Sequence, residues 1–212
     1  MYLHKITADQ LDSSQTDEII QLLVLALEKG SGLSQICNAN GKELRRRLSF
    51  LFQSGLSLQT TANQPVLCVT QDNQVVGVAV IQEPGIYFPL WSQIKWLLRV
   101  SLGVSPIVAW NLLKNMSILK RYHPLNPHYY LLFLGVHPDF QGKGIARTLL
   151  DALHTLSDTH FQSTGVYLET ANPNNVGFYR HFGYHIETQV NINNVTTFIM
   201  FRPKNLNKTD CF

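Results

Sequence analysis

Residues 129–150, YYLLFLGVHPDFQGKGIARTLL, constrain the fold more than any other stretch of this chain. The first eight, Tyr129 to Val136, are apolar and aromatic and have the length of a buried strand. His137, Pro138 and Asp139 break that run, and Gln141-Gly142-Lys143-Gly144 forms a short polar loop. Ala146, Leu149, Leu150, Leu153 and Leu156 then recur at helical spacing, which places the loop at a helix N-terminus. Two glycines let the backbone approach a ligand closely, and first-turn N–H groups have no partner within their own helix. Such a junction is a cradle for an anion, suited to phosphate or pyrophosphate. It is not a P-loop, which needs four residues between its glycines and Lys-Ser/Thr after the second. Nor is it G-x-G-x-x-G, because Arg147 stands where the third glycine belongs.

The string Gln141-Gly142-Lys143-Gly144-Ile145-Ala146 resembles the Q/R-x-x-G-x-G/A signature of the GNAT family of N-acetyltransferases. Leu134-Gly135-Val136-His137-Pro138, just before it, looks like that family's central strand. Tyr167-Leu168-Glu169-Thr170, and then the segment from Asn172 to Tyr184, look like its fifth strand, the following helix and an aromatic-Gly-aromatic turn. Leu168-Glu169-Thr170 with the later Asn175-x-x-Phe178-Tyr179 is similar to the branch containing puromycin acetyltransferases. The resemblance covers residues 65–202. It implies an α/β fold: a mixed, curved sheet flanked by helices on both faces, with a helical insertion before the central strand.

Length and composition agree with a globular chain. The 212 residues suit a single domain over 1–203, with an insertion at 89–122 and a loose polar tail at 204–212. Hydrophobic content of 45% against 15% charged excludes a disordered polymer, and a net charge of +3 is too small to point to nucleic acid. Arg45-Arg46-Arg47 reads as a solvated helix face, with a phosphate contact as the alternative. Cys37, Cys68 and Cys211 show no metal spacing and fit reduced thiols. His181 and His185 are four apart, but Gly183 interrupts the helix between them, so no metal is expected. No apolar run near the N-terminus resembles a signal peptide, and a cytoplasmic location is expected.

Periodicity supplies the remaining elements. Residues 1–6 suit an edge strand. A capping-box-like Ser14-x-x-Asp17 leads into a helix carrying Ile19, Leu23, Val24 and Leu27, which Lys29-Gly30 stops. A second helix follows Gly41, with Leu44, Leu48, Leu51 and Phe52 on one face. Runs 66–70 and 75–81 flank Gln71-Asp72-Asn73-Gln74 as a hairpin, and 184–190 with 196–202 form another around Asn193-Asn194. Residues 166–170 read as a strand, followed by a short helix from Asn175 to His181. The apolar segment 89–122 divides at Ser105-Pro106 into two helices, with Ser105 as N-cap and Pro106 at the first helical position. Its longest uncharged run, 100–113, is too short to span a bilayer.

Acetyl transfer from a thioester to an amine requires a neutral amine, a stabilised oxyanion and a protonated leaving thiolate. The resemblance makes Tyr179 the general acid; its reference pKa of about 10 lies close enough to a thiol's 8.5 for proton donation. Otherwise Tyr179 is a core aromatic beside Phe178 and Phe182. Glu169, in an otherwise apolar strand, is a candidate general base or amine anchor, or else a partner for a neighbouring strand. His128, at the entrance to the central strand, is a second candidate base. The resemblance assigns CoA to the backbone of Leu134 and Val136 and to the loop Gln141, Gly142, Lys143, Gly144, Ile145 and Ala146. Phe178 joins that set, as does Asn172 or Asn175, either of which could instead cap a helix.

The expected function is therefore acetyl-CoA-dependent N-acetylation of a small primary amine by direct transfer. No Cys lies in either motif, which argues against an acetyl-Cys relay. Alternatives are a protein N-terminal or lysine acetyltransferase, a non-catalytic acyl-CoA sensor, and a peripheral membrane protein acting through 89–122. That segment, which holds Trp91, Trp96 and Trp110, is expected to cover the acceptor side and favour an apolar or aromatic amine. A subunit interface there, as in a homodimer, or plain core packing is the rival.

Overall fold

In the computed structural model, which describes residues 1–205, two pairs of left-handed residues turn the sheet. Asp72 and Asn73 have φ of 51° and 62°, and Asn193 and Asn194 have 52° and 65°. Positive φ at both central positions is what a tight two-residue hairpin needs, and Asn and Asp tolerate it. The first pair joins β2 (Pro65–Gln71) to β3 (Gln74–Gln82), and the second joins β6 (His185–Ile192) to β7 (Val195–Pro203). With β1 (Tyr2–Thr7), β4 (Tyr129–Val136) and β5 (Gly165–Thr170), they form one sheet ordered β1-β2-β3-β4-β5-β7-β6. All neighbours are antiparallel except β4 and β5, so the sheet is mixed.

Alternation along the strands feeds two cores. Val66, Cys68, Val78 and Val80 face α1 (Ser13–Leu27) and α3 (Gly41–Thr60), where Ile19, Leu23, Leu48 and Phe52 meet them. Leu67, Val69, Ala79 and Ile81 face the other way, onto Leu149, Leu150 and Leu153 of α6 (Ile145–Thr159). Gly77 lets α6 start directly against β3: a Cβ there would come within 2.3 Å of Ile145 Cγ2. Helices α2 (Ser31–Cys37), α4 (Leu90–Gly103) and α5 (Pro106–Leu119) add to the first side, while α7 (Pro173–His181) follows β5. Helices thus cover both faces, as expected.

Local structure departs from the sequence reading at four places. Helix α1 is capped by Asp12 rather than Ser14: Asp12 Oδ1 accepts from the Gln15 N–H at 2.7 Å, and Gln15 closes the box two residues upstream. Helix α2 was not anticipated, because seven residues are too few to display a period. Helix α7 begins at Pro173, with Asn172 as N-cap. Of the tail, Lys204 and Asn205 are pinned rather than loose: the Lys204 N–H bonds the Thr164 carbonyl and the Asn205 N–H bonds Asp158 Oδ1. Residues 206–212, including Cys211, lie outside the described part. No described helix is long and apolar enough to cross a membrane. The arginine triplet is occupied by carboxylates, Arg45 by Glu28 and both Arg46 and Arg47 by Glu43.

Burial gives the second core an acid sensitivity. His154 is 8% exposed and its Nε2 meets the Tyr184 hydroxyl at 3.0 Å. Desolvation first, and the Arg202 charge second, push its pKa down to about 4. The unfolded chain then binds a proton that the folded one refuses, so stability falls as pH drops from 6.5 toward 4. The full loss is about 3 kcal/mol. Urea midpoints should shift across that window in the parent protein and stay nearly flat in His154→Gln.

Candidate active site

Strands β4 and β5 pair only from Tyr129 to Leu131 against Val166 to Leu168. Beyond those residues β4 stays with β3 and β5 with β7, so the two part. The edge of β4 from Leu132 to Val136 therefore faces an opening rather than a strand. A bulge accompanies the parting: Val80 stands opposite Phe133 but Ile81 opposite Leu131, leaving Leu132 as the extra residue. It reverses the alternation, so Leu131 packs toward α6 while Phe133 packs toward α1 and α3. A cleft of about 1140 Å³ runs through this opening.

One end of the cleft is the loop before α6. Gly142 and Gly144 have φ of 76° and 79°, the left-handed region where other residues are strained. A Cβ on either would meet nothing within 4 Å, so the loop opens to solvent and leaves room for a ligand. The first bond of α6 runs from the Thr148 N–H to the Gly144 carbonyl at 3.0 Å, and no side chain caps the N–H groups ahead of it. Gln141 Nε2 reaches back to the Val136 carbonyl at 3.3 Å and ties the loop to β4. Arg147 lines the same end, its guanidinium 4.9 Å from the Phe182 ring centre and 3.3 Å from His181 Nε2. Uncapped N–H groups, open space and a cation are the donor set that a pyrophosphate fits.

Glu169 lines the cleft where the strands part. The Tyr130 hydroxyl donates to its Oε2 at 2.6 Å, and the Tyr167 hydroxyl donates to its Oε1 at 2.8 Å. His123 Nε2 lies 3.5 Å from Oε1, with its ring 4.9 Å from Tyr130 and 4.3 Å from Tyr167. Burial first and the Glu169 charge second raise both phenols well above their usual range, so both remain donors.

Tyr179 also lines the cleft. It is 8% exposed, and its hydroxyl has no hydrogen-bond partner among the described residues, whereas neighbouring Tyr184 is held by His154. Burial pushes its pKa up to about 12, so it is neutral across the physiological range. Phe178 stacks edge-on against it at 5.4 Å.

The two asparagines separate. Asn172 Oδ1 accepts from the Asn174 N–H at 3.1 Å and caps α7, while Asn175 lies in the first turn and accepts from Asn172 Nδ2 at 3.5 Å; both residues line the cleft.

The cleft thus gathers Leu134, Val136, Gln141, Gly142, Gly144, Ile145, Ala146, Glu169, Asn172, Asn175, Phe178 and Tyr179. Ile145 is 1% exposed, with its side chain packed beneath Gly77. Lys143 does not line the cleft; its Nζ lies 4.6 Å over the ring of Phe140, which does. His128 also lies outside, with Nδ1 2.8 Å from the Asn126 carbonyl oxygen and its ring behind His123. Sequence reading missed Arg147, Tyr130, Tyr167 and His123 as site residues. The tryptophans do not line the cleft, contrary to expectation. Trp96 packs on the core and donates Nε1 to Ser54 Oγ at 3.2 Å, while Trp91 and Trp110 face outward, each 65% exposed. From α5 only Asn115 and Leu119 reach the cleft.

The model of the acetyltransferase (GNAT) family matches residues 38–184. Solved structures share the fold over nearly their whole length. One is a histone acetyltransferase HPA2 and related acetyltransferase from Corynebacterium glutamicum, 16% identical with a TM-score of 0.69 over 98% of this chain and 99% of that one. Another is arylalkylamine N-acetyltransferase 2 from Aedes aegypti, 17% identical with a TM-score of 0.62 over 97% and 100%. A third is the ribosomal-protein-S18-alanine N-acetyltransferase from Escherichia coli, 13% identical with a TM-score of 0.55 over 100% and 99%. The matched span holds the parted strands, the glycine loop, α7 and the turn up to Tyr184, and the chain belongs to the acetyltransferase (GNAT) family.

Proposed function

We propose that this acetyltransferase moves the acetyl group of acetyl-CoA directly to the nitrogen of a primary amine on a small apolar or aromatic body. Glu169 carries this reading: it is the one carboxylate among the described residues that line the cleft. The wall of the cleft includes Leu33, Ile36, Leu119 and Phe178. A single anion in an apolar wall suits an ammonium on a hydrocarbon body, because the carboxylate holds the charge and the wall covers the rest. A polyamine or lysine-rich peptide would set further cations against apolar surface at a cost. The fold likeness to an arylalkylamine N-acetyltransferase agrees with this acceptor. So does the puromycin-acetyltransferase-like pattern, whose Leu168, Glu169, Thr170, Asn175, Phe178 and Tyr179 all line the cleft. No described lining residue is a cysteine, which supports direct transfer.

Acetyl-CoA supplies the activated acyl group as a thioester. The loop from Gln141 to Ala146 holds the pyrophosphate through backbone N–H groups, with Arg147 adding positive charge. Leu134 and Val136 offer the open backbone edge of β4 to the pantetheine arm, and Asn175, which is not needed as a cap, lies beside it. Glu169 binds the ammonium and takes its proton, a step required because an alkyl amine with a pKa of about 10.4 is otherwise charged at neutral pH. His123, 3.5 Å away, passes that proton toward solvent. Tyr179 gives its proton to the departing sulfur, and the second proton that the nitrogen sheds as the amide forms restores the phenol. N–H groups of the bulged β4 steady the charge that develops on the acyl oxygen.

Glu169→Gln preserves shape but removes the charge, and its amide can accept from only one of the two phenols that donate to Glu169. It is expected to lower kcat/KM for the amine about 10²-fold or more, with acetyl-CoA affinity retained. Phenylethylamine and alkyl amines should be better substrates than spermidine or lysine-rich peptides in a thiol-release assay. A preference for spermidine or for peptide N-termini would overturn the acceptor class, and unchanged amine kinetics in Glu169→Gln would remove Glu169 from the reaction.

A further inference from the structure

Helices α4 and α5 carry apolar residues on their outer sides as well as their inner ones. Inward, Trp96 and Val100 of α4 and Val108 and Leu112 of α5 join the first core. Outward, α4 exposes Leu90, Trp91, Ile94, Leu98 and Leu102, a stripe at nearly every fourth residue that ends with Leu102 at 88% exposure. The outer side of α5 exposes Ile107, Trp110, Leu113 and Met116 at every third. Side chains of this size, so exposed in adjoining rows, mark an interaction surface rather than ordinary surface.

Charge selects the partner. Between Glu83 and Asp139 the sequence contains no acidic residue, while Lys95, Arg99, Lys114, Lys120 and Arg121 are all cationic. All five are exposed. Lys95 lies 5.4 Å over the Trp91 ring, beside the α4 stripe, and Lys114 lies beside Leu113 on α5, bonded to Asn193 Oδ1 at 3.0 Å. A second copy of the chain would bring the same face to itself, setting these cations against one another with no carboxylate in either helix to pair them. A basic partner protein meets the same repulsion. Anionic lipid headgroups supply the missing charge, and the acyl boundary receives the Leu, Ile and Trp side chains. Each helix has 14 residues, too few to cross a bilayer, so the pair lies in the interface plane.

We propose that α4 and α5 dock this enzyme on the surface of an anionic lipid bilayer. Helix α5 also borders the cleft through Asn115 and Leu119, so docking sets the cleft beside the lipid. That consequence rests on the proposed apolar amine as acceptor, because such amines partition into the bilayer; the docking itself does not.

Flotation of the full chain with vesicles tests the docking without reference to acetyl transfer. The protein should float with vesicles of phosphatidylcholine mixed with phosphatidylserine and not with phosphatidylcholine alone, and added salt should release it. Binding should blue-shift tryptophan fluorescence. Leu98→Glu should abolish flotation, and joint charge reversal of Lys95 and Arg99 should weaken it about tenfold or more. Both variants should still acetylate a water-soluble amine at the parent rate, which shows that they are folded. The proposal is overturned if the parent protein stays with the soluble fraction in the presence of phosphatidylserine vesicles. It is equally overturned if the parent is a dimer that Leu98→Glu splits, since the face then belongs to a second copy.

Discussion

Tyr179→Phe is expected to lower kcat by about 10²- to 10⁴-fold while leaving acetyl-CoA affinity nearly unchanged. The substitution removes one oxygen and keeps the ring, which is 8% exposed and packed 5.6 Å from Tyr184, so packing should survive. What disappears is the unpartnered hydroxyl on the cleft. Burial raises its pKa to about 12, which sets the sign of the pH effect. The acid form is complete at every pH below the unfolded value of about 10, and it is lost only as pH rises through 12. Tyr179 therefore contributes no alkaline fall to kcat between pH 6 and pH 10, and its removal should lower the whole profile without changing its shape. Single-turnover kinetics with and without amine would isolate the chemical step. A loss smaller than about threefold in that step would make Tyr179 a core aromatic and nothing more.

Gly144→Glu is expected to abolish CoA binding measurable by calorimetry. Two effects act together, and a second variant separates them. Any L-residue at φ of 79° carries strain of about 1–2 kcal/mol. Glutamate further sets a negative charge at the N-terminus of α6, where the pyrophosphate would lie, and like charges repel. Gly144→Asn tolerates the left-handed backbone and adds no charge, so it should weaken CoA binding far less. Because a Cβ at Gly144 meets nothing within 4 Å, neither side chain is forced into the core, and both variants should fold. A folded Gly144→Glu protein with parental CoA affinity would remove the loop from the binding site.

Much of this architecture is legible from the sequence because it depends on near neighbours. Asp72-Asn73 and Asn193-Asn194 announce their hairpins, since the backbone they tolerate is the one those turns need. The strand, glycine loop and helix from Tyr129 onward follow from apolar period and breakers alone. The positions of the glycines, and of Glu169 and Tyr179, were carried by two motifs of short span, and all of them line one cleft.

Other features are properties of pairs of elements, which no local pattern encodes. The opening between β4 and β5 exists because their register ends after three residue pairs, and an apolar strand looks the same paired or unpaired. That same register puts Tyr130 opposite Tyr167, so two ordinary strand aromatics both bond Glu169. His123 joins them from a loop with no spacing signal of its own. Asn172 and Asn175 were equivalent until the start of α7 gave the cap to Asn172. The tryptophans of 89–122 were expected at the cleft, and packing turned one inward and two outward. An apolar stripe records that a helix has a face to cover, while which body covers it is decided by where the helix lands.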